Sequence, residues 1–364
     1  MEYLNIIKQA FIFFPIIAFI FTIPFILKQY HKYGSINKLR VLIVYSFILY
    51  LMTTYFLVIL PLPSIEYVKN LTTPKVQLIP FKFITDFINE TPLVINNYKT
   101  YLKALMDSSF YTVVFNILMF IPFGMYLRYY YKCDSKKTLL YSFLLSLFFE
   151  LTQLTGLYFI YPRPYRLFDV DDLIINTLGG FIGYQIMGLI TFLPSREKID
   201  KKSIEDGKIV SPLRRIVLFV LDLFLYENIY ILIHSFFNYN YINYIVLFIY
   251  YVIIPFLNDG MTLAGKFLNV KIKFKDKQFL NLLLRLVIIY LYYYYLPLSF
   301  VLLKNDFVEK IYLFYILILL IPIFYFLNII FMFKNKKMFY DKILNTEYIS
   351  TINIGIVNDV RPNL

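Results

Sequence analysis

Long apolar runs alternate with short charged stretches along almost the whole chain. About twenty apolar residues cross the hydrocarbon core of a bilayer as a helix. Windows of that kind fall at 9–27, 41–62, 108–127, 138–159, 173–193, 216–236, 242–257, 282–303 and 311–333, with 242–257 the shortest. The pattern predicts an all-α, polytopic integral membrane protein with nine spans. Between the fifth and sixth windows lies PSREKIDKKSIEDGKIVSPL (194–213), charged and with a proline near each end. It reads as a cytoplasmic linker between a membrane domain at 1–193 and a second at 214–350, followed by a tail at 351–364. No internal repeat stands out.

Charge orients the spans. The loops 28–40, 128–137, 194–215 and 258–281 with the tail 334–364 carry 25 of the 36 Lys and Arg residues. The loops 63–107, 160–172 and 304–310 carry nine. Basic loops stay cytoplasmic, so the N-terminus is expected outside and the C-terminus inside. The same rule accounts for the net charge of +13 without nucleic acid. The single cysteine, Cys133, excludes an intramolecular disulfide. With only His31 and His234 beside it, a zinc site of the usual ligand types is not expected. Neither a metal nor a cofactor is expected, and the many Tyr and Phe residues spell no cofactor motif. The first window is longer than a signal-peptide core and lacks a basic segment before it, so cleavage is not expected.

Polar residues concentrate at 116–183, in some of the most apolar sequence. Ionisable groups within membrane helices are costly and mark functional sites by default. Asn116 falls eight residues into span 3 and Glu150 nine residues from the outer end of span 4, about 12 and 13 Å deep at 1.5 Å per residue. Gln153 shares the face of Glu150 at i+3. Asn176 lies one turn into span 5. The loop Tyr161–Asp172, stiffened by Pro162 and Pro164, adds Arg163, Arg166, Asp169, Asp171 and Asp172. Arg166 is the nearest candidate partner for Glu150. Asn116 and Asn176 also fit as interhelical glue, and Gly179, Gly180 and Gly183 as a packing face. Asp171 and Asp172 also fit as the cap of span 5. Upstream, Leu78-Ile79-Pro80-Phe81 with Phe83, Ile84 and Phe87 fits a segment lying on the outer membrane surface.

Three groups of these residues carry a resemblance. They are Asn116-x3-Phe120-x-Pro122-x-Gly124, Glu150-x2-Gln153, and Arg166-x2-Asp169-x-Asp171-Asp172-x3-Asn176-x2-Gly179. Together they resemble the VanZ family over about residues 40–193, and Leu78–Phe81 is similar to that family's outer-loop motif. The resemblance implies a membrane protein tied to resistance to teicoplanin-type glycopeptides.

The second half gathers charge at the cytoplasmic leaflet: Arg214 and Arg215 before span 6, Asp222 two turns into it, Asp259 at the end of span 7, and Arg285 near the start of span 8. The arginine pair fits a membrane anchor. Asp222 and Arg285 are expected to pair with each other. Arg215-x6-Asp222, Asp259-Gly260-x-Thr262-x2-Gly265-Lys266, Arg285 and Asp341-x4-Thr346 resemble the RDD family over about 210–350. That resemblance implies a membrane domain, with ion transport proposed for some members. Asp341 itself sits in a basic stretch that reads as solvated loop.

The functional expectation is protection against glycopeptide or lipoglycopeptide antibiotics at the outer face. The outer cluster would bind a membrane lipid, a cell-wall lipid precursor or the drug, with Arg163 and Arg166 offered to phosphate or carboxylate. An enzyme that modifies a lipid headgroup is one alternative, with Glu150, Asp169, Asp171 and Asp172 as base or Mg²⁺ ligands. A transporter using Asp222, Asp259 and Arg285 is another.

Overall fold

Capping side chains and one left-handed turn set the helix bounds that matter for the site. The structure is a computed structural model describing residues 2–237, 239, 241–295, 311–335 and 337–352. It is mostly helical, and every predicted window contains helix. The segments Ile6–Tyr33, Lys38–Ile59, Ser108–Tyr129 and Pro212–Phe236 are long and apolar enough to cross a membrane. Of the eighth window, residues 296–303 lie outside the described residues, as do loop 304–310 and tail residues 353–364.

The chain forms two compact units. One comprises Met1–Ile20 with Lys38–Ile199, the other Phe21–Asn37 with Asp200–Leu364. The stretch 194–213 contains a helix, Arg196–Gly207, rather than extended chain.

In the first unit the helices are α1 (Glu2–Tyr33, its first part), α2 (Lys38–Ile59), α3 (Ile65–Lys69), α4 (Lys82–Glu90), α5 (Tyr101–Leu105), α6 (Ser108–Tyr129), α7 (Ser135–Leu154) and α8 (Val170–Leu189). Asp107 caps α6 by accepting from Ser109 N at 3.0 Å, and Asp134 caps α7 by accepting from Lys137 N at 2.7 Å. The window 138–159 overran the end of α7. After Leu154 the chain enters a turn with positive φ at Gly156, Leu157, Tyr158 and Phe159, which no right-handed helix can contain. Gly156 is needed there, because a Cβ would lie 2.9 Å from the carbonyl oxygens of Tyr161 and Arg163. Glu150 is therefore four residues from the end of α7, about 6 Å along the helix axis.

α6 and α8 touch backbone to backbone. A Cβ on Gly124 would lie 1.8 Å from Gly180 O, and one on Gly183 would lie 1.9 Å from Ile121 O. Small residues permit such contact between membrane helices, where van der Waals packing rather than hydrophobic burial drives association. α7 packs on the same helix, with Ser142 and Ser146 fully buried against α8. A two-residue parallel ladder joins β1 (Val76–Gln77) to β2 (Phe168–Asp169) just before α8.

In the second unit, helix α10 (Pro212–Phe236) follows α9 (Arg196–Gly207). The next segment, Ile242–Leu257, holds a π-helical turn at Ile249–Ile253. The short helix Leu263–Leu268 leads to β3 (Val270–Lys273), which pairs antiparallel with β4 (Glu347–Ser350). The tail up to residue 352 is thus folded. The expectation of a solvated loop fails there, because Asp341 and Thr346 are both fully buried.

Candidate functional site

Residues of α1, α2, α6, α7 and α8, with the loop before α8, line a cavity of about 270 Å³ in the first unit. Six of the nine outer candidates line it: Asn116, Glu150, Gln153, Arg166, Asp172 and Asn176. Leu57, Phe115, Met119 and Phe149 supply apolar wall. The cavity is therefore amphiphilic, with two carboxylates, one guanidinium and three amides set among hydrocarbon.

Each polar side chain is held by a named partner. Asn116 Nδ2 donates to Asp172 Oδ1 at 2.7 Å, tying α6 to the first turn of α8. Asp169 N donates to Glu150 Oε2 at 2.9 Å, tying that turn to α7. Ser146 Oγ donates to Asp172 O at 3.2 Å and accepts from Asn176 Nδ2 at 2.9 Å. The glycine contact between α6 and α8 makes these short bridges possible.

The arginines do something the sequence did not reveal. Arg166 Nη1 and Nη2 donate to Val58 O and Leu60 O, each at 2.7 Å. Gln153 Nε2 also donates to Val58 O, at 3.1 Å, and Tyr165 Oη to Ile59 O, at 3.0 Å. These carbonyls end α2, where helix geometry leaves acceptors unfilled and the dipole favours a cation. Arg163 likewise donates to Leu71 O, and to Thr73 O at 2.5 Å, and does not line the cavity. The expected Glu150–Arg166 pairing is absent among the described residues. The α2 carbonyls hold that guanidinium, and the Asp169 N–H holds the carboxylate.

Asp169 and Asp171 stand outside the cavity as organisers. Asp169 caps α8 by accepting from Asp171 N at 2.8 Å, and Gln77 Nε2 reaches it at 3.3 Å. Burial pushes the Asp169 carboxyl up, against the lowering effect of those two donors. Asp171 caps a different helix. It accepts from Phe81 N at 2.5 Å and Phe83 N at 2.9 Å, and so closes the start of α4, which has no cap of its own. Leu78, Ile79, Phe81 and Ile84, at and just before this helix start, are all exposed. Among the described residues no three His, Cys, Asp or Glu side chains converge as metal ligands.

The VanZ/LLP1 family profile matches residues 47–193, the segment that builds this cavity. Residues 47–193 are a VanZ-like domain. The chain is 32% identical over 94 residues to Protein VanZ of Enterococcus faecium, an alignment covering 26% of this chain and 54% of that protein. The chain thus spans about half the length of this curated relative. No solved structure matches the chain. All seven polar residues that line the cavity, Thr112 with the six named above, fall within the matched segment.

In the second unit the charged residues form separate groups. Arg214 is fully buried, with Nε and Nη2 on Leu268 O at 3.0 and 2.6 Å, Nη2 on Asn269 O at 2.8 Å and Nη1 on Gly207 O at 2.8 Å. It serves helix ends rather than acting as a membrane anchor. Arg215 lies over the Tyr348 ring, 4.5 Å from its centre. Asp259 is exposed and paired with Lys271 at 2.7 Å, whose ammonium holds its carboxyl below the usual range. It does not join Asp222 or Arg285.

The expected Asp222–Arg285 pair gives way to another. Asp222 accepts from Tyr250 Oη at 2.8 Å. Arg285 Nε lies 3.5 Å from Asp341 Oδ1, and Arg285 Nη2 donates to Tyr348 Oη at 2.9 Å. Tyr348 Oη in turn donates to Asp341 Oδ2 at 3.0 Å. The folded tail brings a carboxylate to Arg285 that no helix pattern placed there. Removing one partner of such a buried pair costs about 3–5 kcal/mol. Arg285→Gln and Asp341→Asn are therefore expected to show strong coupling in a double-mutant cycle read by melting in detergent, with Arg285→Gln and Asp222→Asn closer to additive.

Proposed function

We propose that the chain is a nine-span membrane protein whose VanZ-like domain protects the cell envelope against teicoplanin-type glycopeptides. In this reading it does so by holding the polar headgroup of a membrane amphiphile in the outer-leaflet cavity. One observation carries the reading: the matched segment encloses an amphiphilic cavity whose carboxylates and amides are held in place by short bridges. Packing alone gives no reason to keep Glu150 at that position. The cavity lies below the ~300–1,000 Å³ of sites that enclose drug-sized ligands, so it suits a headgroup rather than a whole glycosylated peptide. The loop charge supports a topology with this end outside and the C-terminus in the cytoplasm. The exposed apolar residues from Leu78 to Ile84 would rest on the outer surface of the bilayer beside it. The second unit, RDD-like in its motifs, would be the membrane partner of this domain in the same chain.

Glu150→Gln keeps the size and the acceptor for Asp169 N while removing the charge. It is expected to lower teicoplanin resistance toward that of cells lacking the protein, at unchanged abundance in the membrane fraction. Minimum inhibitory concentration and immunoblot, read together, test this. Full resistance at normal abundance removes the cavity from the mechanism.

A further inference from the structure

The charged oxygens of the cavity are not all matched within the protein. Each amide sends one N–H to an internal acceptor: Asn116 Nδ2 to Asp172, Gln153 Nε2 to Val58 O, and Asn176 Nδ2 to Ser146 Oγ. Arg166 directs Nη1 and Nη2 at the α2 carbonyls rather than at a carboxylate. Each carboxylate keeps one oxygen without a protein donor. Glu150 uses only Oε2 and Asp172 only Oδ1. Asn176 is 4% exposed and its Oδ1 is buried without a partner. The Ser146 hydroxyl bonds both Asp172 O, at 3.2 Å, and Asn176, at 2.9 Å, and in this arrangement Asn176 presents its NH₂ to it.

Two carboxylate oxygens without a protein donor, on residues that line one cavity, call for a compact cation with several N–H donors. A primary ammonium has three such donors and a trimethylammonium has none. Leu57, Phe115, Met119 and Phe149 complete the requirement with apolar wall. We propose that this cavity recognises a primary ammonium group carried by an amphiphile, either the headgroup of an aminophospholipid or a simple amine with an alkyl chain. The assignment rests on the reading that the cavity is the ligand site of the VanZ-like domain. Arg166 lines the same cavity, but its two terminal nitrogens face the negative end of α2, which draws its charge away from the ligand.

The test uses the detergent-purified full chain at neutral pH, titrated with octylammonium, octyltrimethylammonium, dihexanoyl phosphatidylethanolamine and dihexanoyl phosphatidylglycerol. Octylammonium and the ethanolamine lipid are expected to bind at least about tenfold tighter than the trimethyl and glycerol compounds, the scale of one charge-assisted hydrogen bond. Comparing the two ligands that bind separates an amine recognised alone from one recognised within a phospholipid. The doubly neutralised Glu150→Gln/Asp172→Asn chain is expected to lose the preference. Equal binding of the trimethyl compound, preference for the glycerol lipid, or no binding of octylammonium overturns the assignment. The wild-type comparison needs no variant to fold. If Glu150→Gln still abolishes drug resistance while wild type shows no headgroup preference, the ammonium assignment fails and the functional reading stands. If wild type discriminates but resistance ignores Glu150, the reverse holds.

Discussion

Arg214→Met is expected to abolish accumulation of the full chain in the membrane. The guanidinium is fully buried and binds the ends of two helices, at Gly207 O and Leu268 O, and also Ser350 Oγ at 3.2 Å. Methionine fills similar space but donates nothing. Each buried acceptor left empty costs about 1–3 kcal/mol, so losing both helix-end partners removes about 4 kcal/mol. That is a large part of the ~5–15 kcal/mol that holds a domain folded. Arg214→Lys is expected to rescue little, because an ammonium cannot span acceptors that a planar fork reaches together. Immunoblot of the membrane fraction and melting in detergent read the effect. Wild-type abundance of Arg214→Met would show that these carbonyls find other donors.

The second large effect is expected from the smallest possible side chain. Gly183→Ala places a Cβ 1.9 Å from Ile121 O, and Gly124→Ala places one 1.8 Å from Gly180 O. Both clashes are with backbone, so α6 and α8 must separate. Overpacking costs about 1–3 kcal/mol where side chains can yield, and more where they cannot. Separation also breaks the 2.7 Å Asn116–Asp172 bond, so the cavity should be lost with the stability. Gly188→Ala is the contrast. Its Cβ meets only the end of the Arg128 side chain, which can move aside. Melting in detergent should fall sharply for Gly124→Ala and Gly183→Ala and little for Gly188→Ala. Equal behaviour of all three would show that the close crossing is not required.

The helices were legible in the sequence because hydropathy reports apolar length directly. The polar cavity lining was legible for the same reason, since Glu150, Asn116 and Asn176 stand out against apolar neighbours. The partners were not legible. Arg166 read as a partner for Glu150 and Arg214 as a membrane anchor, yet both bind helix-end carbonyls, which no side-chain pattern displays. Asp171 read as a cap for its own helix and instead caps α4, about ninety residues earlier in the chain. The end of α7 was not legible, because hydropathy runs on past Leu154, where backbone conformation ends the helix. Asp341 read as solvated because its neighbours are basic. Its burial comes from β4 pairing with β3, a contact between distant segments.

The central claim is that the cavity of the VanZ-like domain holds an amphiphile. Native mass spectrometry of the detergent-purified full chain tests it most directly, with wild type beside Met119→Trp, which fills the apolar wall. The prediction is one co-purifying amphiphile on wild type and none on Met119→Trp, with both chains folded. A bare wild-type chain, or the same amphiphile retained on both, would contradict it.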